Sequence, residues 1–531
     1  MAVRFARGAI SGPPVLPFMN PPVRVELLPL GRTLEAAPGT PLADLLFAQG
    51  VEFPCGGRGR CKGCRVCVLR GELPVTPEDE RLLSPAERAA GWRLSCRARA
   101  TADLTLELAQ WEAAILSDDT PVEFTPRDGL GVAVDLGTTT LVAQLLNLRT
   151  GNVLAVRTAL NAQAQHGADI MSRIEFALAG EGQARLQSLI RSQIGSLIGE
   201  LLAAAPAGLS LRDVVLVGNT AMHHLFCGVP VAPLAYHPFE PNDDGLKSFT
   251  EAELGWPGAN AARVHFLPCL GGFVGSDILA GILATGMHER EQPTVLVDLG
   301  TNGEIVVGNR DRLLCASTAA GPAFEGARIS MGMRAATGAI SAVTLHDGEF
   351  DCQVLGGGEP RGVCGSGLVD AVACGLDAGS VKPSGRLAHG EVLPLRAPVQ
   401  LSQRDIRELQ LAKGAIAAGI RLLMERWGAQ PADLGRVYLA GAFGNYISRA
   451  SARRIGLIDF PAGQVEPAGN TALRGAKRAL FGLPERGGDF AELRRRTEHL
   501  SLKDDLQFQE VYVEEMGFPA GAGAGAVGRG A

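Results

Sequence analysis

The pentapeptide Val-Asp-Leu-Gly-Thr occurs twice in this chain of 531 residues, at 134–138 and again at 297–301. Each copy ends an apolar run that suits a buried strand, and a second apolar run follows each copy. Both stretches therefore predict a strand, a tight turn and a returning strand. One such copy arises easily at any strand end. Two copies predict duplicated α/β lobes that face each other.

The turn of each hairpin carries small and hydroxyl-bearing residues. Glycine and threonine let backbone amides approach phosphate oxygens, and threonine hydroxyls can donate to them. The aspartates at the two strand ends, Asp135 and Asp298, can hold a hydrated magnesium ion. The hairpins together predict that ATP and Mg²⁺ bind in the cleft between the lobes. The turn residues expected at the phosphates are Gly137, Thr138, Thr139, Gly300 and Thr301.

Three further segments are candidates for the same cleft. Gly441-Ala442-Phe443-Gly444 follows an apolar strand and predicts a turn where the backbone presses close to a flat adenine. Gly365-Ser366-Gly367 precedes an apolar helix and suits an anion-facing helix N-terminus, with a plain strand-to-helix turn as the alternative. Asn219-Thr220 and His223-His224 are expected to line the cleft. Adjacent histidines on a helix point to different faces, so they do not predict a shared metal.

The N-terminal part carries a different signature, Cys55-Gly56-Gly57-Arg58-Gly59-Arg60-Cys61-Lys62-Gly63-Cys64, with a fourth thiol at Cys96. Cysteines separated by five and then two residues in a glycine-rich loop suit a 2Fe-2S cluster, although the first gap is one residue longer than in the plant-type motif. Structural zinc and unrelated core thiols are the alternatives. Zinc is disfavoured because only Cys61 and Cys64 show the Cys-x-x-Cys spacing. Cys67 competes for ligation, but its apolar neighbours predict a buried strand residue.

The elements around these cysteines follow the order of a β-grasp ferredoxin. Two strands precede a helix opened by Thr40-Pro41, and the cysteine loop comes next. A strand, an acidic turn at 78–80, a short helix and a return of Cys96 to the loop complete the domain. Basic residues surround the loop, and they predict either a face that steers an acidic partner or solvated charges that offset the negative cluster. These residues are Arg58, Arg60, Lys62, Arg65, Arg70, Arg93, Arg97 and Arg99.

Composition limits the possible function classes. A hydrophobic content of 46% with 68 glycines is typical of a globular, nucleotide-binding α/β protein. A net charge of −6 predicts no general affinity for nucleic acid or for an anionic membrane. No apolar run is long enough for a membrane helix. Eleven cysteines, an odd number, favour a reducing compartment, and we expect the protein in the cytoplasm.

We expect five segments along the chain. They are a disordered leader at 1–22, a 2Fe-2S ferredoxin domain at 23–108, a linker at 109–129, a two-lobed ATPase domain at 130–515 and a disordered tail at 516–531. Lobe I is expected at 130–290 and lobe II at 291–515, with a return to lobe I left open at the C-terminal end. The apolar stretch GGFVGSDILAGILATGM, residues 271–287, predicts a helix at the joint between the lobes.

These motifs resemble two known modules. The paired hairpins, the joint helix and the 441–444 turn look like the superfamily of sugar kinases, heat-shock chaperone ATPase domains and actin, in which two ribonuclease-H-like lobes surround ATP. The fold class is thus a multidomain one: an α+β β-grasp ferredoxin followed by an α/β two-lobed ATPase domain. A ferredoxin ahead of such an ATPase resembles the reductive activators of corrinoid proteins, over residues 23–515. That family has a middle domain between the two modules, and since the linker here is short we expect this middle domain to be missing.

The resemblance implies an activity and a set of roles. It implies ATP-dependent transfer of one electron from the 2Fe-2S cluster to cob(II)amide of a corrinoid protein in a methyltransferase system, which restores cob(I)amide. A low-potential electron donor would reduce the cluster, and a homodimer is left open. Asp135 and Asp298 would hold the metal ion, Asn302 would join the phosphate-binding residues, and Glu304 or one of the aspartates would orient the attacking water.

Three rival interpretations stay open. An activator of another low-potential metalloenzyme, such as a radical dehydratase, would also couple ATP to an electron. A small-molecule kinase with a redox-sensing domain would use the same ATP module, and a chaperone-like binding module would have no redox chemistry.

Overall fold

The computed structural model describes residues 21–28, 32–47, 51, 59, 62, 64–108, 124–167, 169–206, 208–256, 262–300, 302–336, 338–461, 463–482, 487–503 and 505–520. Most of the expected leader, linker and tail lies outside these ranges, and so do Cys55, Cys61 and Thr301. The chain divides into two compact units, Met1–Trp111 and Glu112–Ala531.

The first unit is a mixed five-stranded sheet covered by a short helix. Its strand order is Arg32–Ala36, Val23–Leu28, Leu104–Leu108, Arg65–Arg70 and Trp92–Leu94. Val23–Leu28 buries every second side chain, as a half-buried strand should, and runs parallel to Leu104–Leu108. The helix Leu42–Phe47 packs Leu42 and Leu46 onto the sheet. This is the predicted β-grasp order.

The expected acidic turn at 78–80 is wrong, because these residues lie in the helix Pro77–Leu82. Thr76 caps this helix: its hydroxyl accepts from Asp79 N at 3.2 Å, and the Asp79 carboxylate accepts from Thr76 N at 2.8 Å. Such a capping box with proline at the first helical position is a strong helix start. The buried Asp79 also accepts from Leu94 N, which ties the helix to the sheet. A second short helix, Pro85–Ala89, follows.

The second unit contains two six-stranded sheets of matching design. The first has the order Val153–Leu160, Thr140–Asn147, Leu130–Leu136, Leu211–Gly218, Arg263–Phe266, Lys247–Thr250. The second has the order Val465–Gly469, Arg436–Ala440, Thr294–Leu299, Gly303–Gly308, Leu313–Thr318, Thr497–His499. In both, the strand that ends in the pentapeptide pairs antiparallel with its hairpin partner and parallel with a later strand. The predicted duplication is confirmed.

Three apolar cores hold this unit together. One lies in lobe I beneath the helix Gly182–Ala203, and one lies in lobe II around the helices Gly365–Asp377 and Gln403–Trp427. The third contains residues of both sheets together with two joint helices, Ser276–Thr285 and Thr471–Gly482. These helices touch backbone to backbone, since a Cβ on Gly475 would lie 2.0 Å from the Ala280 carbonyl oxygen. The predicted joint helix is confirmed, and a second joint helix accompanies it.

The remaining elements surround these layers. The helices are Ile170–Ala177, Thr220–Cys227, Gly441–Tyr446, Arg449–Arg454, Gly487–Arg496 and Leu506–Glu515. A small sheet is formed by Glu349–Val354, Ala339–His346 and Gly362–Val363, and a pair of short strands by Val392–Pro394 and Gln400–Ser402. Across the described ranges, no helix combines the length and the apolar character that a bilayer crossing requires.

Candidate functional site

A cavity of about 790 Å³ lies between the two hairpin turns of the second unit. The predicted residues of the two hairpins that line it are Asp135, Gly137, Thr138, Thr139, Asp298, Gly300, Asn302 and Glu304. The parallel strands that carry the two aspartates direct their C-terminal ends toward this cavity, which is where open α/β sheets bind ligands. The structure thus brings the residues of both hairpins into one cleft.

Four of the carboxyl groups that line this cleft interact with one another. Asp298 stands directly opposite Glu304 in the antiparallel register of the second hairpin. Asp135 comes from the first hairpin, and Asp277 comes from the first turn of the joint helix Ser276–Thr285. Like charges directly across a strand pair repel each other. The arrangement therefore calls for a bound cation or for protonation.

Burial raises the pKa values of the four groups, and this repulsion raises those of Asp277, Asp298 and Glu304 further. Burial raises the pKa of Asp135 to about 6, against a hydrogen bond from Asn470 that lowers it. Burial and then the charge of Asp135 raise the pKa of Asp298 to about 7. Burial, then Asp298 and Asp135, raise the pKa of Asp277 to about 7. The pKa of Glu304 lies well above its ordinary value, first through burial and then through Asp277 and Asp298. A divalent ion would relieve all four.

The first hairpin turn is tightly built. Gly137 N donates to Thr140 O at 3.1 Å, and a Cβ on Gly137 would lie 2.5 Å from that oxygen. The Asn219 amide donates to Thr138 Oγ1 at 2.9 Å, while its carbonyl accepts from Met222 N and caps the helix Thr220–Cys227. Because the Thr138 hydroxyl accepts from Asn219, its own proton is free to point toward a ligand. Asn219 lines the cavity as expected.

The neighbours of Asn219 do not line the cavity, and that part of the prediction is wrong. Thr220 is buried and its hydroxyl donates to Gly271 O at 2.7 Å. His223 and His224 are fully buried, next to Gly245 O at 3.0 Å and Thr220 O at 2.8 Å. Burial lowers the pKa of both rings, so they are neutral core residues.

The 441–444 segment is the start of the helix Gly441–Tyr446, not the expected turn. Gly441 has a φ of +80°, and a Cβ there would lie 2.7 Å from Asp298 Oδ1. Gly441 therefore abuts the carboxyl cluster, whereas Gly444 packs against Leu439 away from the cavity lining. Phe443 lines the cavity and stacks on Phe324 with ring centroids 4.5 Å apart. Of Ala442, only the backbone is described.

The 365–367 segment forms the first turn of the helix Gly365–Asp377 rather than a loop before it. Gly365 and Ser366 line the cavity. The Ser366 hydroxyl donates a hydrogen bond to Ser341 O at 2.8 Å. Gly367 does not line the cavity, because it packs against strand backbone: a Cβ there would lie 2.1 Å from Ile340 O. The helix N-terminus thus meets the cavity through two of the three predicted residues.

Asp277 and Asn470 are among the polar side chains of the site that the sequence did not predict. Asp277 lies within the joint segment that was predicted as an apolar helix, and its position after Phe273-Val274-Gly275-Ser276 was the available signal. Asn470 donates to Asp135 Oδ2 at 2.9 Å from the start of the second joint helix. No local motif marks Asn470, because its partner lies in the opposite lobe.

In the first unit, the structure describes two of the four predicted cluster thiols. Ser95 donates to the Cys64 carbonyl through its amide at 3.1 Å and its hydroxyl at 2.7 Å, so the chain segment that carries Cys96 returns to the end of the cysteine loop. The predicted return of Cys96 is confirmed. Cys67 is buried in the strand Arg65–Arg70, as predicted, and its thiol donates to Ala90 O at 3.2 Å. Cys55 and Cys61 lie outside the described residues.

Acidic residues neutralise part of the basic surroundings of these thiols. Glu87 forms salt bridges with Lys62 at 3.1 Å and Arg65 at 3.0 Å. Glu78 pairs with Arg97 at 2.7 Å. Both carboxylates lie on the two short helices, where the sequence predicts a turn and one helix. The positive charge around the cysteine loop is therefore smaller than the sequence indicates, with Arg58 and Arg60 outside the described residues.

Family models match nearly the whole chain in three consecutive pieces. Residues 25–101 match a 2Fe-2S iron-sulfur cluster binding domain, residues 130–290 match the RACo middle region, and residues 292–524 match the C-terminal domain of RACo, the ASKHA domain. The expectation that the middle domain is missing is wrong. The segment interpreted as lobe I of the ATPase is the one that matches the middle region. Because its hairpin repeats that of lobe II, the sequence did not separate the middle region from the ATPase domain.

Relatives of known activity cover most of the chain. The corrinoid activation enzyme RamQ of Eubacterium limosum is 35% identical over 437 residues, which are 75% of this chain and 73% of RamQ. The [Co(II) methylated amine-specific corrinoid protein] reductase of Methanosarcina barkeri is 27% identical over 73% of this chain and 77% of its own length. The solved structure of a reductive activator for a corrinoid, iron-sulfur protein superposes with a TM-score of 0.64 and 26% identity, over 94% of this chain and 98% of its own. The chain therefore belongs to the family of the reductive activators of corrinoid proteins.

Proposed function

We propose that this chain reactivates a corrinoid protein of a methyltransferase system by passing one electron to its cob(II)amide at the expense of ATP. The observation that carries the proposal is the carboxyl-lined cleft between duplicated hairpins, in a chain that also has a ferredoxin unit. A kinase would need the cleft but not the ferredoxin. A chaperone-like module would need neither a cluster nor an electron donor.

The residues of the cleft divide into a phosphate end and an apolar end. Asp135 and Asp298 would hold a magnesium ion that keeps most of its waters. Thr138, Thr139, Thr301 and Asn302 would face the phosphates. Phe324, Phe443 and Tyr446 line the cavity elsewhere and offer flat faces on which a base can stack. The adenine base is therefore assigned to these aromatic rings and not to the backbone of 441–444, because Gly441 lies against Asp298.

Orientation of the attacking water falls to Asp277 in preference to Glu304. A general base works best with a pKa near the operating pH. The pKa of Asp277 is raised to about 7 by burial and by Asp298 and Asp135, whereas that of Glu304 lies well above its ordinary value. Glu304 already accepts a hydrogen bond from Ser317 Oγ at 3.3 Å.

The first unit would hold the electron carrier. The thiolates of Cys64 and Cys96, with Cys55 and Cys61, form a donor set typical of iron-sulfur ligation, and Cys67 stays a buried thiol. A 2Fe-2S cluster bound there supplies a one-electron carrier at roughly −400 mV. A low-potential donor would reload it, and the reducing cytoplasm is the compartment that suits this chemistry. Uphill delivery to cobalt then requires that ATP binding favour a state of the partner that is easier to reduce.

The proposal is tested by the ATP turnover of the purified full chain, with and without a corrinoid protein in its cob(II) state. Turnover is expected to be slow alone and to rise when the corrinoid protein is added, because that partner favours the hydrolysis-competent conformer. Unchanged turnover, together with ATP-dependent phosphorylation of a small metabolite, would support the kinase interpretation.

A further inference from the structure

The cavity between the lobes is strongly acidic. Six carboxylates line it, and among its described lining residues the basic side chains are Arg334 and Lys503. The six are Asp135, Asp169, Asp277, Asp298, Glu304 and Glu325. A phosphate chain brought into this cleft needs cationic partners beyond one metal ion. The surroundings of the two bases therefore decide how the cleft receives its ligand.

Lys503 has an unusual partner for a residue in such a cleft. It lies in lobe II, between the strand Thr497–His499 and the helix Leu506–Glu515, and it is exposed. Its ammonium nitrogen lies 3.7 Å from the ring centroid of Phe239, in lobe I. No ion pair of Lys503 occurs among the residues that the structure describes. The charge thus rests on an aromatic face, across the cleft from its own lobe, although six acids line the same cavity.

Phe239 is held in a strained position. Its φ is +63°, a region that non-glycine residues adopt rarely, and its amide donates to Tyr236 O at 2.7 Å. A Cβ on Gly272 would lie 2.2 Å from the Phe239 carbonyl oxygen, so the Phe239 loop presses on the segment that leads into the first joint helix. The surrounding structure, and not local preference, fixes this ring in place.

Phe239 places Lys503 near the segment that leads into the first joint helix. The Phe239 ring lies 6.0 Å from that of Phe273, which lines the cavity. Phe273 precedes the joint helix that carries Asp277, and the charge of Asp277 is coupled to Asp298 and Asp135. Lys503 thus lines the same cavity as Asp277 and lies against the loop that packs on the segment before this helix.

We propose that Lys503 is a ligand for the phosphate chain of ATP, and that Phe239 holds its ammonium group in readiness while the cleft has no nucleotide. This inference rests on the proposed function. A cation over the face of a half-buried ring is bound more weakly than a cation that donates hydrogen bonds to a phosphate. The lysine has a flexible four-carbon stem and three donors, so it can exchange one partner for the other.

The test uses the full chain and measures its affinity for ATP, with Mg²⁺ present, by calorimetric titration. Lys503→Met keeps the apolar stem and removes the charge, and we expect ATP to bind about tenfold more weakly. Phe239→Leu removes the competing ring, and we expect ATP to bind about threefold more tightly. The double variant should bind as Lys503→Met does. Lys382→Met, at an exposed lysine of lobe II outside the cavity lining, is the matched control and should bind like the parent.

The opposite signs of the two single variants make the test selective. A purely structural tie between the lobes would make both variants weaken ATP to a similar degree and lower the melting temperature together, and that result would overturn the inference. ATP affinity of Lys503→Met within twofold of the parent would also overturn it. Parent protein that does not bind ATP at all would instead contradict the proposed function, and that outcome is seen before any variant is compared.

Discussion

The side-chain amide of Asn470 donates to Asp135 Oδ2 at 2.9 Å, across 335 residues of sequence. The other atom of the same amide, Oδ1, accepts from Leu473 N at 2.8 Å and caps the second joint helix. One residue therefore fixes both the start of that helix and the aspartate of the first hairpin. The orientation of Asp135 depends on where the joint helix lies, which links the carboxyl cluster to the joint between the lobes.

Replacing Asn470 with aspartate separates these two roles. The new carboxylate keeps the helix cap, so the melting temperature should stay within a few degrees of the parent value. It removes the donor to Asp135 and adds a fifth carboxyl group to the cluster, so ATP hydrolysis should fall by about tenfold. Asn470→Ala, which loses the cap as well, should lower both quantities. Parent-level hydrolysis by Asn470→Asp would show that the hydrogen bond to Asp135 has no role in turnover.

The carboxyl cluster costs stability in the absence of a cation. In the folded chain burial and Asp135 raise the pKa of Asp298 to about 7, above the ordinary value of 3.8. Between these pH values the folded chain binds more protons than the unfolded chain, so its free energy of unfolding falls as the pH rises. Asp298→Asn should remove this penalty and stabilise the metal-free protein by about 4 kcal/mol at pH 8, with a smaller gain as the pH is lowered toward 4.

Urea denaturation of the metal-free protein at several pH values measures this effect. Asp459→Asn, at a side chain that is 94% exposed, is the control and should show no such gain. The stabilised Asp298→Asn protein should nonetheless be unable to hydrolyse ATP. A gain that does not change with pH would mean that the cluster is not the source of the penalty.

We predict that ATP hydrolysis requires glycine at position 441. Its φ of +80° disfavours any side chain, and a Cβ would lie 2.7 Å from Asp298 Oδ1. Gly441→Ala should displace that carboxylate and abolish ATP hydrolysis, at a cost in stability of about 1–2 kcal/mol. Gly463→Ala is the control, because a Cβ there has no neighbour within 4 Å. Equal hydrolysis by the two variants would contradict the close approach of Gly441 to Asp298.

The cysteine assignment predicts a difference in colour among single variants. Cys64→Ser and Cys96→Ser should each bleach the anaerobically purified protein, since each removes a thiolate from the cluster ligands. Cys67→Ser should keep its colour, because that thiol is buried in a strand and donates to Ala90 O. Visible absorbance and iron content measure both. A colourless Cys67→Ser protein beside a coloured Cys96→Ser protein would reverse the assignment.

The duplicated hairpins and the joint helix were predictable because their signals are local. The apolar pattern indicates a buried strand, a glycine turn and a returning strand. The identity of 134–138 with 297–301 indicates the repeat. The ferredoxin order followed from the cysteine spacing and the flanking strands in the same way. Asp135, Asp298 and Glu304 reach the cleft because hairpin geometry alone places them there.

The sequence did not predict features that depend on contacts between residues distant in sequence or on the residues that begin a helix. Asn470 belongs to the site through a partner in the other lobe. Glu78 lies in a helix because Thr76 and Pro77 begin one. The run of acidic residues by itself favours a turn. His223 and His224 looked functional by residue type, yet burial and backbone partners make them core residues. The 130–290 segment resembles lobe II so closely in its hairpin that sequence reasoning merged the middle region with the ATPase.

The central claim is that ATP and electron transfer are coupled in one chain. The most direct measurement gives the pre-reduced protein a corrinoid protein in its cob(II) state, with and without magnesium ATP, and follows the formation of cob(I)amide by absorbance. We predict rapid formation of cob(I)amide only when magnesium ATP is present, and none above background with Asp298→Asn. Equal rates of formation with and without ATP would contradict the account.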